Sequence, residues 1–347
     1  MGETPHVHRP FTAVVAVLLL LLAGAACSDD GGGDDDDAAT TSTEPSSESG
    51  SPEASGGGAF ELLTYNVAGL PQEVSEETPE VNLPLISPRL EPYDIVLTQE
   101  DFDWWKPGGL VEANGLDFMN YHDRLLADTT HEFATPRHPG PEAAGIDPAD
   151  RPTMEIGDGI GILSRLPLDG FEVQAWEGCF GSLDTSDGGA ADCAAIKGFR
   201  VATMDLDGEA VDVYSLHGEA GGTDEDQALQ ADDFAQLAAF IAEHSEGRAV
   251  IVGGDTNLHT DTVHEDSGDG ADIEIWDDFV AEVGLTDACT ETGCTETGRI
   301  DKVAYRSSDA VTLAATAWEI PEGFVDDAGE DLSDHEPVAV SFAWEPA

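Results

Sequence analysis

The sequence predicts a single α/β domain from its length, its strand-like runs and the residues that end these runs. The chain has 347 residues, of which 40% are hydrophobic, so it can bury a sizeable core. From Ala59 to Ala347, apolar strand-like runs alternate with a few helical patterns, and no linker-like segment recurs. Polar residues stand where several runs stop. We therefore expect one domain, residues 59–347, whose strand ends form the rim of a crevice.

The polar residues at the strand ends are of types that bind metal ions or transfer protons. They are Asn66 after Phe60–Tyr65, Gln99 and Glu100 after Asp94–Thr98, His217 after Val211–Leu216, Asp255 and Asn257 after Ala249–Gly254, and Ser333, Asp334 and His335 before Pro337–Phe342. Carboxylates, carboxamides and imidazoles at one edge of a sheet are what a metal-assisted hydrolase needs. The pattern therefore predicts hydrolytic chemistry at this edge.

Residues 1–27 have the pattern of an export signal. A weakly basic start precedes the apolar run Phe11–Leu22, which is too short to span a bilayer comfortably, and small residues lead from it to Cys27. The ending Gly24–Cys27 resembles a bacterial lipoprotein signal, although Gly24 stands where that motif usually has Leu. The resemblance implies an acylated Cys27 and a protein anchored by lipid at the bacterial cell surface. Ordinary secretion and a membrane-spanning anchor are the alternatives.

Residues 28–58 are predicted to be a disordered acidic tether. They consist largely of Asp, Gly, Ser, Thr, Glu and Pro, so they bury too little apolar surface to offset the entropy of ordering. The acidic run Asp34–Asp37 is interpreted as solvated linker charge, with a calcium site as the alternative.

The cysteine pattern fits an exported protein. Setting aside Cys27 leaves two locally spaced pairs, Cys179 with Cys193 and Cys289 with Cys294. In an oxidising compartment this spacing favours two local disulfides, although four cysteines allow three pairings. Zinc binding is the competing interpretation, and the pairs show neither Cys-x-x-Cys spacing nor an adjacent His to favour it.

The charge is strongly negative. The chain has a formal net charge of −59, and residues 59–347 alone carry about −50. Affinity for nucleic acid comes largely from Lys and Arg, so we expect no stable nucleic-acid complex. Divalent cations in the crevice would locally reverse this potential. Adaptation to high salt is an alternative explanation of the charge.

Two helices and two loops are predicted from local patterns. The first helix covers about Asp226–Ser245, with Thr223 or Asp224 as its cap and Gly247 after its end. Its apolar residues near one face are Leu229, Phe234, Leu237 and Ile241. A second, shorter helix covers Ile275–Val283 and ends at Gly284. The segments 128–158 and 266–272 are predicted to be a long loop and a flexible acidic turn, the latter with partial likeness to a calcium loop.

Seven segments together carry a resemblance to a known family. They are Leu63–Val67, Asp94–Glu100, Gly159–Arg165, Tyr214–His217, Val252–Asn257, Arg299–Lys302 and Ser333–His335. In this order they resemble the endonuclease/exonuclease/phosphatase superfamily, which has a deoxyribonuclease-like fold. Asp192-Cys193 followed by Lys197-Gly198-Phe199 is similar to its secreted neutral sphingomyelinase C branch. The resemblance implies an α/β four-layer sandwich of two mainly antiparallel β-sheets flanked by helices.

The resemblance also implies a divalent cation held by Glu100, Asn66 and Asp334. A phosphodiester is anionic and repels hydroxide, so a hard cation on oxygen ligands must neutralise the charge that develops on the phosphate. Mg²⁺ is the expected cofactor, with Mn²⁺ or Ca²⁺ as alternatives. Asp255 and Asn257 are expected to orient the attacking water and the phosphate, or to hold a second cation.

Proton transfer is assigned to histidines. By resemblance His335 is the base that activates water, and Asp301 is the carboxylate that orients its other ring nitrogen. His217 matches the second histidine of the superfamily, a general acid or a phosphate clamp. Lys197 is expected to contact phosphate or to be an ordinary surface lysine. Five further histidines match no motif and are interpreted as surface or rim residues: His122, His131, His138, His259 and His264.

Taken together, the sequence predicts an exported, membrane-tethered, magnesium-dependent phosphodiesterase that uses in-line attack of water. A phospholipid or sphingomyelin head group is the preferred substrate, and the protein is expected to be a monomer. The pair Trp104–Trp105 is the only candidate for an aromatic element that enters a bilayer. The alternatives are an extracellular nuclease, an inositol-phosphate or nucleotide phosphatase, and a non-catalytic binding lipoprotein.

Overall fold

The computed structural model describes residues 56–72, 75, 77–103, 105, 121–137, 140–151, 154–181, 192–261 and 270–347. The predicted signal peptide with Cys27, nearly all of the predicted tether, Trp104 and most of the acidic turn at 266–272 lie outside these ranges. Among the described residues, no helix has the length and apolar character that crossing a membrane requires.

The strands of the described ranges form two six-stranded sheets. In chain order they are β1 (Gly58–Asn66), β2 (Ile95–Gln99), β3 (Phe133–Ala134), β4 (Gly161–Ser164), β5 (Leu168–Ala175), β6 (Gly198–Leu206), β7 (Glu209–His217), β8 (Ala249–Asp255), β9 (Thr286–Asp287), β10 (Asp301–Arg306), β11 (Val311–Glu319) and β12 (Val338–Pro346). The first sheet has the order β11-β12-β1-β2-β4-β3, and the second has the order β5-β6-β7-β8-β10-β9.

Each sheet has one parallel pair of strands at its centre. β1 runs parallel to β2 in the first sheet, and β7 runs parallel to β8 in the second. The other neighbouring strands in both sheets are antiparallel. The predicted pair of mainly antiparallel sheets is therefore confirmed. The parallel pairs matter for the site, because the carboxyl ends of two parallel strands meet at the same edge.

Helices cover the outer faces of both sheets. They are α1 (Pro79–Ile86), α2 (Tyr121–Leu125), α3 (Asp224–His244) and α4 (Ala271–Val283), whereas the short helix α5 (Ala288–Thr292) contributes Ala288 to the core between the sheets. Because side chains alternate along a strand, Leu62 of β1 points into the core between the sheets, while Leu63 packs against residues of α1 and α2. In the second sheet, Val213 lies in the same central core, and Tyr214 packs against α3 and α4. The predicted four-layer arrangement is confirmed.

The two predicted helices are confirmed, each with an earlier start. α3 begins at Asp224 and has a capping box, in which the Thr223 hydroxyl accepts from the Asp226 amide while the Asp226 carboxylate accepts from Thr223. α4 begins at Ala271, before the apolar residues that identified it, because its first turn is polar. It ends at Gly284, whose φ of 73° is the left-handed conformation that favours glycine.

The predicted cysteine pairs are disulfides in the structure. Cys179 is bonded to Cys193, with their Cα atoms 5.2 Å apart, and Cys289 is bonded to Cys294, with 5.0 Å between the Cα atoms. Within the predicted loop 128–158, Phe133–Ala134 forms the short edge strand β3 against β4. This exception to the predicted loop arises because Phe133 packs against the central core.

Candidate active site

Four of the predicted site residues stand at the carboxyl ends of the two central parallel pairs. Asn66 is the last residue of β1, and Glu100 directly follows β2. His217 and Asp255 are the last residues of β7 and β8, and they are directly paired in the register of these strands. The sheets face each other, so the carboxyl ends of both parallel pairs lie at one edge of the sandwich.

Two antiparallel strands bring further predicted residues to this edge. β10 runs antiparallel to β8, so its first residue, Asp301, pairs with Asp255. β12 runs antiparallel to β1, and His335 precedes its first residue, Val338, which pairs with Thr64 near the end of β1. Residues 66, 255, 301 and 335 are therefore neighbours in space for a topological reason.

Asn66 connects the two halves of the site. Its side chain is fully buried, and Nδ2 lies 3.1 Å from Glu100 Oε1, 2.9 Å from Asp255 Oδ2 and 3.3 Å from His335 Nε2. Its Oδ1 accepts from the Ala68 amide at 3.1 Å. In this orientation Asn66 presents N–H donors to the site, whereas the predicted role as a metal ligand would use its oxygen.

His335 and Asp301 form a hydrogen-bonded dyad. The distance from His335 Nδ1 to Asp301 Oδ2 is 2.8 Å, which leaves Nε2 facing the site, 3.8 Å from Asp255 Oδ2. Burial by itself would lower the pKa of His335, but the charges of Asp301 and Asp255 outweigh it and raise the pKa well above its usual value. The dyad thus fixes the tautomer and stabilises the protonated imidazole.

His217 has the opposite electrostatic setting. Its side chain is buried, and Nε2 lies 3.4 Å from Asp255 Oδ2. Burial, followed by the positive charge of Lys197, lowers the pKa of His217 well below its usual value. A neutral imidazole at neutral pH fits the predicted phosphate clamp better than a cationic general acid.

The two carboxylates nearest to Asn66 differ in their electrostatics. Burial, together with the charge of Asp334, raises the pKa of Glu100 to about 7. Burial acts in the same direction on Asp255, but His335, His217 and Lys197 outweigh it and lower the pKa of Asp255. The exposed Asp334, at the rim of the site, therefore lies close enough to Glu100 to raise its pKa.

A divalent cation fits the carboxylates at this edge. Among the described residues, two groups of three place their ligand atoms within 4.8 Å of one another: Glu100, His217 and Asp255, and Asp255, Asp301 and His335. In the second group, the dyad already uses His335 Nδ1 and Asp301 Oδ2. The first group offers oxygens from both parallel pairs, which is the donor chemistry that Mg²⁺ prefers. Asp334 is in neither group.

Asn257 is placed beside Asp255 and makes backbone contacts. Its amide donates to Asp255 Oδ1 at 3.0 Å, and its Nδ2 donates to Gly218 O at 3.1 Å. Its φ is 53°, a left-handed conformation that Asn adopts more readily than most residues. Asn257 thus fixes the chain that follows His217 relative to the chain that follows Asp255.

A buried lysine lies next to the site, so the predicted alternative of an ordinary surface lysine is wrong. Lys197 is 8% exposed, and its Nζ is 2.6 Å from Asp192 Oδ1 and donates to Gly218 O at 3.2 Å. Its charge contributes to the lowered pKa of Asp255 and opposes the rise in the pKa of Glu100. The lysine is buried because the segment before β6 carries it under the chain that follows His217.

Sequence reasoning missed the burial of three residues around the site, His122, Glu219 and Asp233. His122, interpreted as a surface or rim residue, lies mostly buried with its Nδ1 2.5 Å from Asp101 Oδ2, one residue after Glu100. Glu219 and Asp233 are 1% and 2% exposed, and they are two of several buried acids near Lys197. The signal available in the sequence was the polar helix face of Asp226, Gln230 and Asp233, which apolar periodicity does not detect.

A cavity of about 310 Å³ lies behind the dyad. Asp301 lines it, together with Lys302, Trp276 and Trp318. Lys302 is buried with its Nζ 5.6 Å from the centre of the Trp276 ring, and it donates to Thr260 Oγ1 at 2.9 Å. Burial lowers the pKa of Lys302 to about 8, against the opposing charges of Asp287 and Asp301.

Comparison with known proteins gives matches over most of the domain. Residues 63–335 match the model of the Endonuclease/Exonuclease/phosphatase family. The chain is 33% identical over 310 residues to proteins named sphingomyelinase from Mycobacterium bovis and Mycobacterium tuberculosis. This match covers 83% of the chain and 53% of those proteins, so the chain spans about half the length of these relatives.

Solved structures share the fold at low identity. Sphingomyelinase C from Streptomyces griseocarneus has a TM-score of 0.55 and 18% identity, with 82% of this chain and 99% of that one covered. A mutant beta toxin from Staphylococcus aureus with bound magnesium ions has a TM-score of 0.53 and 15% identity, with the same coverage of both chains. The fold, the order of the site residues and the family match agree, and this chain belongs to the endonuclease/exonuclease/phosphatase family.

Proposed function

We propose that this protein is a divalent-metal-dependent phosphodiesterase that hydrolyses its substrate by in-line attack of water. The observation that carries the proposal is the convergence of Glu100, Asp255 and the His335–Asp301 dyad at one edge of the sandwich. Carboxylates that suit a hard cation, next to an imidazole held by a second carboxylate, form a hydrolytic site.

The geometry suggests a role for each side chain. Glu100 and Asp255 would hold the cation, which supplies charge neutralisation for the phosphate. His335 Nε2 faces the site and takes the proton of the attacking water, while Asp301 stabilises the resulting imidazolium through Nδ1. The neutral His217 is a donor that binds a phosphate oxygen, while Asn66 Nδ2 donates to Glu100 and Asp255 and orients their carboxylates.

We further propose that the substrate is a phospholipid, with the sphingomyelin head group first. Support comes from the 33% identity to proteins named sphingomyelinase and from the acidic surface, which disfavours nucleic acid. Mg²⁺ is the proposed cofactor, with Mn²⁺ or Ca²⁺ as alternatives. The export signal, the acylation of Cys27, the tether at 28–58, the location at the bacterial surface and a monomeric state are parts of the same proposal.

Metal-dependent hydrolysis is tested with bis-p-nitrophenyl phosphate, in the presence of Mg²⁺ and of EDTA. We expect turnover with Mg²⁺ and none with EDTA. Glu100→Gln should raise the Mg²⁺ concentration for half-maximal rate by about tenfold or more, because it removes a charged ligand. The control is Glu322→Gln, since Glu322 is exposed and lies in the loop after β11. No turnover with any divalent cation would favour a non-catalytic binding lipoprotein.

The substrate class is tested by incubating the protein in parallel with sphingomyelin vesicles, plasmid DNA and inositol phosphates. Release of phosphocholine is the expected result, and cleavage of DNA alone would overturn the lipid proposal. The anchor is tested separately by expression in a bacterium fed labelled palmitate. Label in the wild-type protein but not in Cys27→Ala supports acylation, and unlabelled wild-type protein contradicts it.

A further inference from the structure

The amino-terminal half of α3 buries a row of polar side chains. Asp226, Gln230 and Asp233 are 0%, 1% and 2% exposed, and their spacing places them on one face of the helix. This face packs against the chain that follows His217, since Gln230 Nε2 donates to Glu219 O at 3.0 Å and to Gly221 O at 3.3 Å. A polar helix face toward the interior needs partners for its oxygens.

Several oxygens of this row have no hydrogen-bond partner in the structure. They are Asp226 Oδ1, Gln230 Oε1 and Asp233 Oδ2. The carboxamide of Gln230 is oriented by the backbone carbonyls that accept from its nitrogen, so its oxygen is left facing away from them. A buried acceptor that lacks a hydrogen-bond partner destabilises the fold.

Two of the buried carboxylates also lack a cationic partner among the described contacts. Glu219 Oε2 accepts from the Phe180 amide at 3.1 Å, and the Glu219 amide donates to Asp233. Lys197 bonds Asp192, which also accepts from Ala220 N. The acids Glu219 and Asp233 are thus buried near Asp192, and no cationic side chain is hydrogen-bonded to either of them among the described residues.

Another nearby cation is committed to backbone oxygens. Arg151 Nη2 donates to Trp176 O at 2.5 Å and to Gly178 O at 2.8 Å, and it acts on Glu219 and Asp233 through its charge alone. Protonation of the acids does not complete the arrangement either, because a protonated Asp233 would need an acceptor near Oδ2, and Oδ2 has no hydrogen-bond partner.

We infer that Glu219, Gln230 and Asp233 form a structural site for Ca²⁺, separate from the edge where Glu100 and Asp255 lie. Two carboxylates and one carboxamide give an all-oxygen donor set, which suits a hard cation, and Ca²⁺ accepts six to eight such ligands in flexible geometry.

The site would join three parts of the molecule. Glu219 follows His217 by two residues, Gln230 and Asp233 belong to α3, and Phe180 belongs to the segment closed by the Cys179–Cys193 disulfide. A cation here would clamp the chain after β7 onto α3. The inferred Ca²⁺ site does not depend on the proposed hydrolytic activity.

Calcium binding by the full chain is measured in a Glu100→Gln background, which weakens the proposed catalytic cation site. We expect one Ca²⁺ to bind in equilibrium dialysis with ⁴⁵Ca²⁺, and Ca²⁺ to raise the Tm of the chelator-treated protein. Adding Asp233→Asn should weaken binding by about tenfold or more and remove the Tm increase, because it removes a charged ligand. Adding Asp232→Asn, at the exposed neighbour on α3, should change neither result.

The Tm measured without Ca²⁺ distinguishes a variant that has lost the cation site from a variant that has lost the fold. Without Ca²⁺, Asp233→Asn should keep or raise the Tm, since a neutral amide of the same size replaces a buried acid that has no bonded cation. Gln230→Met is a second variant that keeps the charge of the cluster, and it should also weaken Ca²⁺ binding. The inference is overturned if the Glu100→Gln protein binds no Ca²⁺, or if Asp233→Asn and Asp232→Asn bind it equally.

Discussion

At the scale of single residues, the pKa values of the two histidines of the site are shifted in opposite directions by their neighbours. His335 lies against Asp301 and near Asp255, which raise its pKa well above the usual value despite burial. His217 also lies near Asp255, but burial and Lys197 dominate and lower its pKa. The pKa of His335 is raised by carboxylate charge that a bound cation would partly offset, so His335 can serve as the proton acceptor while the neutral His217 binds phosphate.

Replacing His335 by Ala tests the proposed base. We expect kcat on bis-p-nitrophenyl phosphate to fall by about 10²- to 10⁴-fold, because the attacking water loses its proton acceptor. Asp301→Asn should reduce kcat as well, since it removes the charge that stabilises the imidazolium. The Tm of each variant checks that folding is intact, and His244→Ala, at the far end of α3, is the control. A near-normal rate for His335→Ala would remove His335 as the base.

Lys302 gives a prediction about pH. Its folded-state pKa of about 8 lies below the unfolded value of 10.5, so the unfolded chain binds more protons between these values. The lysine therefore destabilises the fold progressively as the pH falls from 10.5 toward about 8, and the penalty is constant below that. The stability difference between wild type and Lys302→Met, from urea unfolding, should change in favour of wild type from about pH 8 to about pH 10. A difference that stays constant over this range would contradict the lowered pKa.

At the scale of elements, the central parallel pairs decide where the site forms. β7 and β8 place His217 opposite Asp255, and Gln99 Nε2 donates to Ser215 Oγ at 3.2 Å to connect the two sheets just below. Gly254 permits this pairing, because its φ of 149° is unfavourable for other residues and a Cβ there would collide with Leu216 O.

Replacing Gly254 by Ala should disrupt the second sheet. We expect a loss of more than about 2 kcal/mol of unfolding free energy, or insoluble protein, because both the conformation and the space forbid a side chain. Gly247→Ala is the matched control: Gly247 has a φ of 72°, but nothing lies within 4 Å of a Cβ there. It should cost only about 1 kcal/mol, and equal losses in urea unfolding would contradict the role of the close approach.

At the scale of the whole molecule, acidic charge is the dominant global property. The formal net charge is −59, while several of the few basic side chains are committed to internal contacts, as Arg200 is to Asp158 and Arg306 is to backbone carbonyls. Most surface carboxylates therefore repel one another without nearby basic partners, which opposes the compact state.

This charge predicts stabilisation by salt. Raising NaCl from about 10 mM to about 500 mM shortens the screening length several-fold, so the Tm of the protein should rise. The measurement is made with EDTA present, so that metal binding does not contribute. A Tm that is independent of NaCl would show that the acidic groups are compensated locally.

Much of the site could be predicted because its residues coincide with the ends of local patterns. Asn66, Glu100, His217 and Asp255 each stand where an apolar run stops, because β2 and β8 are buried on both faces and such strands read as nearly continuous apolar runs. The capping box of α3 and the end of α4 at Gly284 are equally local signals.

The remaining features depend on contacts between distant segments. The burial of Lys197 under Gly218, the pairing of His122 with Asp101 and the meeting of Glu219 with Asp233 have no counterpart in local periodicity. The analysis of apolar periodicity assumes that polar side chains are exposed. A polar side chain can be buried only where the fold supplies a hydrogen-bond or charge partner for it, and that partner comes from a distant segment.

The sequence by itself determined the order of the strands along the chain, the residue types at their ends and the local cysteine pairs, because each is a short-range property of the polypeptide. Only the tertiary structure decided which polar groups are hydrogen-bonded to one another and which charges lie close enough to shift a pKa. Asn66 turns its nitrogen rather than its oxygen to the site, and His217 is neutral while His335 is basic. Desolvation and Coulomb interactions act through space, so they exist only once both sheets are packed.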